Sequence, residues 1–362
     1  MNKPHVLLLY GIDAQYQAFE IESTLHLVHE ATTALNAMGW RVVPQQIAYD
    51  LERPLLYFSP SEWIVLNACE GLPNQVFYYA TVAARLEALG YTFTGSDVRS
   101  LDATQFKWRM KRTLETASVP TPRWALCEDA DTLHFDTFPA IVKPAAEHCS
   151  FGITRDSVAV NLSEARRQAR RIIEEYAQPA LVEEFLDSDE YNVSVWGSEL
   201  HPNGFEVLGI SQMKYGYFAD IHDRLCTFDS KWTPESEAYR RIPAICPAPV
   251  DAALQARIER VAVEAFRATG CRDYGRIDMR LRNGEPMVLD VNCNCDISMD
   301  GGFMNAARAR GMSYGEMLQR LLEIAVARAE STADIRSPFF GEQSAIDAAN
   351  PAASEPFHEA LP

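Results

Sequence analysis

The sequence predicts a mixed α/β fold. Short apolar runs alternate with longer stretches of helical period, Gly or Pro closes several of them, and no motif returns at a spacing of about 20 to 50 residues, which excludes a solenoid or propeller. With 362 residues the chain has room for two or three domains, each able to bury a core without a disulfide or structural metal.

His5 to Tyr10 reads as a buried strand; with one early cation, Lys3, the run is too brief for a secretory signal. Glu20 to Met38 follows as a helix ending at Gly39, Trp63 to Asn67 as a strand, and Gln75 to Leu89 as a helix stopped by Gly90. Residues 1–119 are therefore expected to form a small βαβ domain. A helix from Ala103 to Ser118 closes it, because Pro120 and Pro122 lack donors and push the residues before them towards extended geometry. Residues 120–330 are expected to form the main region, divided into 120–196 and 197–330. Its strands are read at Phe138 to Lys143, Ala180 to Leu186, Tyr191 to Trp196 and Glu206 to Gln212. Between the first two lies a helix, Ser163 to Tyr176, whose Arg166, Arg167, Arg170 and Arg171 read as a solvated face with Glu174 and Glu175 four residues beyond the latter pair. Ala253 to Thr269 is a helix. Gly275 to Leu281 and Pro286 to Asn292 are strands joined through Asn283-Gly284, a strong hairpin signal. The last helix runs from Tyr314 to Ala329, and residues 331–362, rich in Ala, Pro, Ser and acids, are expected to be disordered.

Composition excludes several classes of function. Hydrophobic residues make up 47% and charged residues 23%, and no apolar run is long enough to span a bilayer, so no membrane role is expected. A formal charge of -17 would repel a phosphate backbone, which argues against nucleic acid as a partner. Eight dispersed cysteines, with only Cys293 and Cys295 close together, read as reduced thiols of a cytoplasmic protein rather than a disulfide or zinc framework.

Phosphate-loop, dinucleotide, nucleophile-elbow and H-E-x-x-H signatures are all absent. The strongest local feature is Arg276-Ile277-Asp278 on one hairpin strand and Asp290-Val291-Asn292 on the other: two carboxylates and an amide supply only oxygen ligands, a set that suits Mg²⁺ held jointly with substrate phosphates. Their relative placement depends on the turn. A three-residue loop pairs 278 with 290 and 276 with 292, whereas a two-residue Asn-Gly turn puts them on opposite faces. Lys107, Lys143 and Lys231 each stand where a strand or helix could aim them inward, and a lysine closing an apolar strand is costly to bury without an anion, so a phosphate partner is reasonable.

In this order and spacing the chain resembles the ATP-grasp superfamily, and within it the D-alanine:D-alanine ligase family, over roughly Trp63 to Ala329. The stretches that carry the resemblance are Asn67-Ala-Cys-Glu-Gly71, Thr94-Gly-Ser-Asp97, Phe106-Lys-Trp-Arg-Met-Lys111, Val119-Pro-Thr-Pro122, Ala140-Ile-Val-Lys-Pro144, Leu181-Val-Glu-Glu-Phe-Leu186, Gly275-Arg-Ile-Asp278 and Asp290-Val-Asn292. The resemblance implies an ATP-grasp architecture with ATP held between the 120–196 and 197–330 regions. It implies that Lys107, Lys143 and Lys231 hold ATP phosphates, that Glu183, Glu184, Phe185 and Leu186 form the adenine strand, and that Glu190 binds the ribose. Asp278, Asp290 and Asn292 would hold two Mg²⁺ or Mn²⁺ ions, Ser150 would lie in a loop closing over the triphosphate, and Arg276 would steady an oxyanion while an amine attacks an acyl phosphate. A homodimer is also implied.

The sequence departs from that family where substrates bind. His148 and Cys149 replace small residues in the triphosphate loop, Trp232 stands where a Tyr is usual, Asp290 replaces a Glu, and Gly301 and Gly302 replace a Ser-Leu pair. Cys149, Trp232, Gly301 and Gly302 are thus candidate substrate contacts, and an amine other than D-alanine is expected. The leading reading is an ATP- and Mg²⁺-dependent ligase joining a small carboxylate to a small amine. The alternatives are a kinase- or carboxylase-like enzyme without an amine acceptor, and a nucleotide-binding module without catalysis.

Overall fold

The computed structural model describes residues 4–13, 16–47, 51–69, 79–148, 150–197, 204–227, 240–242 and 244–336. It forms one compact unit over Met1–Ala325 and a second over Val326–Pro362, the latter described only to Arg336. Among the described residues no helix is long and apolar enough to cross a membrane.

The first sheet is parallel, in the order β2-β1-β3-β4. Its strands are β1 (His5–Gly11), β2 (Val42–Ile47), β3 (Trp63–Asn67) and β4 (Thr92–Phe93), with α1 (Ala18–Ala37), the single turn α2 (Glu52–Leu55) and α3 (Tyr79–Ala88) between them. Val6 to Leu9 are fully buried, which is why β1 reads as continuously apolar: in a parallel sheet both faces are covered. Gly39, at φ 80°, ends the α1 segment where the sequence placed its stop.

The helix expected from Ala103 to Ser118 is two helices, α4 (Val98–Gln105) and α5 (Lys107–Thr116), separated by Phe106 in extended geometry at φ -100° and ψ 116°. Asp97 caps α4 by accepting the Ser100 N–H at 2.9 Å. The break turns the Lys107 N–H towards the Ala145 carbonyl, 2.9 Å away, and so fixes a lysine at the start of α5.

The second sheet is antiparallel in the order β5-β8-β6-β7, from β5 (Trp124–Cys127), β6 (Ala140–Pro144), β7 (Val158–Ala159) and β8 (Ala180–Glu184). Helix α6 (Leu162–Tyr176) packs Ala165, Ala169 and Ile172 against Val142 and Val182. Arg167 and Arg170 lie outward as expected, and Arg171 pairs with Glu175 at 2.9 Å, although Arg170 takes Asp131 rather than Glu174; Arg166 departs from the expected solvated face, half-buried and donating to the Leu133 carbonyl at 3.0 Å.

The third sheet is antiparallel in the order β11-β10-β9-β12-β13: β9 (Glu190–Gly197), β10 (Phe205–Met213), β11 (Ala244–Ile245), β12 (Tyr274–Arg282) and β13 (Glu285–Asn292). The strand read with the 120–196 region is thus the middle strand of this sheet, and the change from second to third sheet falls between Glu184 and Glu190. Helix α7 (Ala252–Ala268) buries Ile258, Ala262 and Phe266 in a core shared with Val193, Val195, Ile277 and Val291, and that core continues to Leu7 and Val65 of the first sheet. Helices α8 (Gly302–Ala309) and α9 (Tyr314–Arg336) follow. The last helix continues past Ala329 through residues expected to be disordered; residues 337–362 lie outside the described residues.

Cys271 and Cys293 form a disulfide with Cα atoms 5.5 Å apart, contrary to the expectation of free thiols throughout. Sequence dispersion hid this pair. Cys271 follows α7 and Cys293 follows β13, and the packing of that helix on that sheet brings them together.

Candidate active site

The hairpin forms its two-residue turn, with Asn283 and Gly284 both at positive φ and Arg282 opposite Glu285. By itself this register would put Asp278 and Asp290 on opposite faces. A β-bulge at Leu289 adds one residue to β13 between the Met279–Val288 and Asp278–Asp290 pairs, and from there Asp278 faces Asp290 and Arg276 faces Asn292. On the other side of β12, Arg276, Asp278 and Arg280 face Ser194, Asn192 and Glu190 of β9. Side chains alternate along a strand, so these groups share one face while Val193, Ile277, Met279 and Val291 point into the core.

Arg276 and Asp278 form a bidentate pair, with Nε and Nη2 at 2.7 and 2.9 Å from the two carboxylate oxygens. Asn192 and Asn292 donate to the same carboxylate at 2.7 and 3.0 Å. The Arg276 guanidinium lies beside the start of α8: a Cβ on Gly302 would stand 3.8 Å from its Nη1. Gly301 caps that helix, and a Cβ there would come within 2.7 Å of Asp296 Oδ2, which already accepts the Ser298 hydroxyl at 2.9 Å.

Lys107 reaches across from α5 to place its Nζ 2.7 Å from Asp290 Oδ2. Burial alone would raise the Asp290 carboxyl, but Lys107, with His148 and Lys143, holds it well below the usual carboxylate range. His148 hydrogen-bonds the Gln105 carbonyl at 3.2 Å, and burial followed by the Lys107 charge pushes its pKa down to about 4. The folded chain therefore keeps this imidazole neutral where the unfolded chain protonates it. Between the ordinary value of 6.5 and about 4, stability should fall as pH falls. Urea unfolding across that window should show a smaller pH slope in His148→Gln than in the wild type; equal slopes would remove the assignment.

A second charge cluster lies behind the first. Glu183 on β8 is fully buried and pairs with Lys143 on β6 at 2.7 Å and with Lys111 on α5. Lys111, also fully buried, adds Thr121 Oγ1 at 2.8 Å and the Val288 carbonyl at 3.0 Å. Burial pushes the Lys111 ammonium down to about 8 despite Glu183, whereas Glu183 and Asp290 override burial and raise Lys143. Both Glu183 oxygens therefore face lysines. Glu184 turns to the other side of the strand, where Arg282 takes its carboxylate, and Phe185 donates its N–H to the Pro139 carbonyl at 2.9 Å.

A model of the family described as D-ala D-ala ligase C-terminus matches residues 115–323. The chain is 30% identical over 250 residues to a D-alanine–D-alanine ligase of Ralstonia nicotianae, covering 67% of this chain and 69% of that one. It is 32% identical over 270 residues to the uncharacterized protein y4sG of Sinorhizobium fredii, covering 73% and 75%. The chain belongs to the D-alanine:D-alanine ligase family. Its fold agrees with the crystal structure of a Bacillus anthracis D-alanine–D-alanine ligase complexed with ATP, at a TM-score of 0.69 and 18% identity, over 91% of this chain and all of that one. It is an ATP-grasp, ATP-dependent carbon–nitrogen ligase.

In this ligase the donor set fits a hard divalent cation. Among the described residues no three His, Cys, Asp or Glu side chains converge, so Asp278, Asp290 and the Asn292 amide would hold such an ion only together with phosphate and water oxygens, as Mg²⁺ prefers. Lys231, Trp232 and Cys149 lie outside the described residues. Ser150 sits in a turn at φ 63°, its carbonyl accepting the Ile153 N–H at 3.1 Å. Lys111, Asn192 and Arg280 join the site without being among the residues its motifs point to. Each had a signal: Lys111 is one helical turn from Lys107, and Asn192 and Arg280 stand two residues from Glu190 and Asp278 on the same strand faces.

Proposed function

We propose that this ligase converts a small carboxylic acid to an acyl phosphate with ATP and joins the acyl group to an amine other than D-alanine. The observation that carries the reading is the convergence of Arg276, Asp278, Asp290, Asn292, Lys107 and Lys143 around one face of the third sheet and its border with the second, where cations and anions alternate within hydrogen-bond reach. Lys107 and Lys143, each facing a carboxylate, suit the ATP phosphates; with the Glu183 side chain held by Lys111 and Lys143 and that of Glu184 by Arg282, it is the backbone of residues 183–186, together with the Glu190 carboxylate, that suits the nucleoside. In this reading ATP lies between the 120–196 and 197–330 regions, with residues 1–119 ahead of them.

The chemistry is positioning and charge neutralisation. The acid's carboxylate oxygen attacks the γ-phosphorus and ADP leaves; the amine then attacks the acyl carbon and inorganic phosphate leaves. Mg²⁺, when bound at Asp278, Asp290 and Asn292, would offset phosphate charge. Arg276 lies beside the α8 N-terminus, where both the guanidinium and the helix end favour an oxyanion. Support for a different amine comes from Gly301 and Gly302, which present backbone but no hydroxyl at that helix start, and from Asp296 and Asp300 in the preceding loop, which favour an acceptor that is not itself strongly anionic. ADP release should be measured across D- and L-amino acids, singly and in pairs, with mass spectrometry of the products. Amine-dependent release with a condensed product other than D-alanyl-D-alanine is expected; release that never depends on an amine would defeat the reading, and D-alanyl-D-alanine as the preferred product would defeat its substrate half.

A further inference from the structure

Arg280 is a buried cation with no part in the chemistry above. It is 3% exposed and stands opposite Glu190 in the β9–β12 register. Its three donor nitrogens go to three separate segments: Nε to Glu190 Oε2 at 3.2 Å, Nη1 to the Leu186 carbonyl at 3.0 Å, and Nη2 to the Arg224 carbonyl at 3.0 Å. Its guanidinium carbon lies 5.1 Å from the Phe185 ring centroid and 4.5 Å from that of Tyr215. Tyr215 is itself buried, its hydroxyl 3.5 Å from the same Glu190 oxygen and its N–H held by Asp189 at 3.0 Å. Among the described residues no hydrogen bond reaches the other oxygen, Glu190 Oε1.

A guanidinium buried only to balance a charge needs one carboxylate. This one instead ties together Glu190, the segment that follows β8 and the segment before residue 226, and its planar fork fixes the direction of each bond. We infer that Arg280 is a positioning residue for nucleoside recognition: by engaging Glu190 Oε2 it orients Oε1 towards the ribose hydroxyls, and by holding the Leu186 carbonyl it sets the segment after β8 that meets the base. The inference rests on the reading of residues 183–186 and Glu190 as the nucleoside site.

The test is equilibrium binding of ATP, 2′-deoxyATP and 3′-deoxyATP, with Mg²⁺, to the full-length wild type and to Arg280→Lys and Glu190→Gln. A hydrogen bond to a charged group makes the wild type prefer ATP over at least one deoxynucleotide by roughly tenfold or more. In Arg280→Lys that preference should fall to within about twofold of unity, as in Glu190→Gln, and combining the two changes should lower it no further. Arg280→Lys weakening all three nucleotides alike, with the ratios kept, would overturn the inference, because a merely structural residue behaves in that way. If Arg280→Lys does not fold, Arg280→Gln, which keeps a donor but not the three-way fork, carries the test, and undiminished discrimination overturns the inference. A wild type that binds the three nucleotides equally overturns it together with the ribose role of Glu190. A wild type that binds no ATP overturns the nucleotide site itself.

Discussion

Replacing Arg276 with alanine is expected to lower kcat by ~10²- to 10³-fold while nucleotide affinity changes little, the loss typical of removing one oxyanion donor. The guanidinium is held by both Asp278 oxygens on one side and lies against the start of α8 on the other, so it is already aimed before any substrate arrives. Such preorganisation acts where charge develops, which should lower kcat and kcat/KM together rather than raise KM alone. Arg276→Lys should fall between wild type and alanine, since it keeps the charge but not the bidentate fork that fixes its direction. The alanine change also leaves Asp278 with only the Asn192 and Asn292 amides, so the metal dependence should be followed in the same variant. Near-normal turnover in Arg276→Ala would contradict the assignment.

Glu183→Gln is expected to destabilise the fold by ~3–5 kcal/mol, the usual cost of leaving a buried charge without its partner. Glu183 is the shared carboxylate of Lys111 and Lys143, and its loss leaves two buried ammonium groups facing each other. The pH dependence gives the mechanism away. Lys111 is already pushed down to about 8, below its ordinary 10.5, so between those values the unfolded chain binds the extra proton and stability rises with pH. In Glu183→Gln its pKa should drop further, so the deficit against wild type should shrink as pH is raised towards 8. Lys111→Met should cost much less, because Glu183 keeps Lys143. Denaturant midpoints for the three proteins at two pH values decide this; a Glu183→Gln protein as stable as the wild type would show that the cluster is not a charge-balanced unit.

The alternation of strands and helices was legible because burial imposes periodicity, and the stops at Gly39 and Gly90 were legible because a left-handed residue favours glycine. The hairpin at Asn283-Gly284 was equally plain. What the turn could not reveal was the bulge at Leu289, since an extra residue in one strand is decided by packing across the whole sheet rather than by local preference. That single residue puts Asp278 and Asp290 on one face. The break at Phe106 was hidden for a similar reason: its residues have ordinary helix propensity, and the tertiary hydrogen bond from Lys107 to Ala145 accompanies the division into α4 and α5. Lys111 and Glu183 were each visible in the sequence, but that they neutralise one another depends on the fold bringing one residue of α5 to one residue of β8, which no spacing along the chain encodes.

On this reading the face built by the bulged hairpin holds a metal–nucleotide complex. This is tested most directly by binding of a non-hydrolysable ATP analogue with and without Mg²⁺, in the wild type and in Asp278→Asn. Mg²⁺ is expected to tighten binding to the wild type, and Asp278→Asn to lose most of that gain while still binding the metal-free analogue. Binding to the wild type that is indifferent to Mg²⁺, or a full Mg²⁺ effect retained in Asp278→Asn, would contradict it.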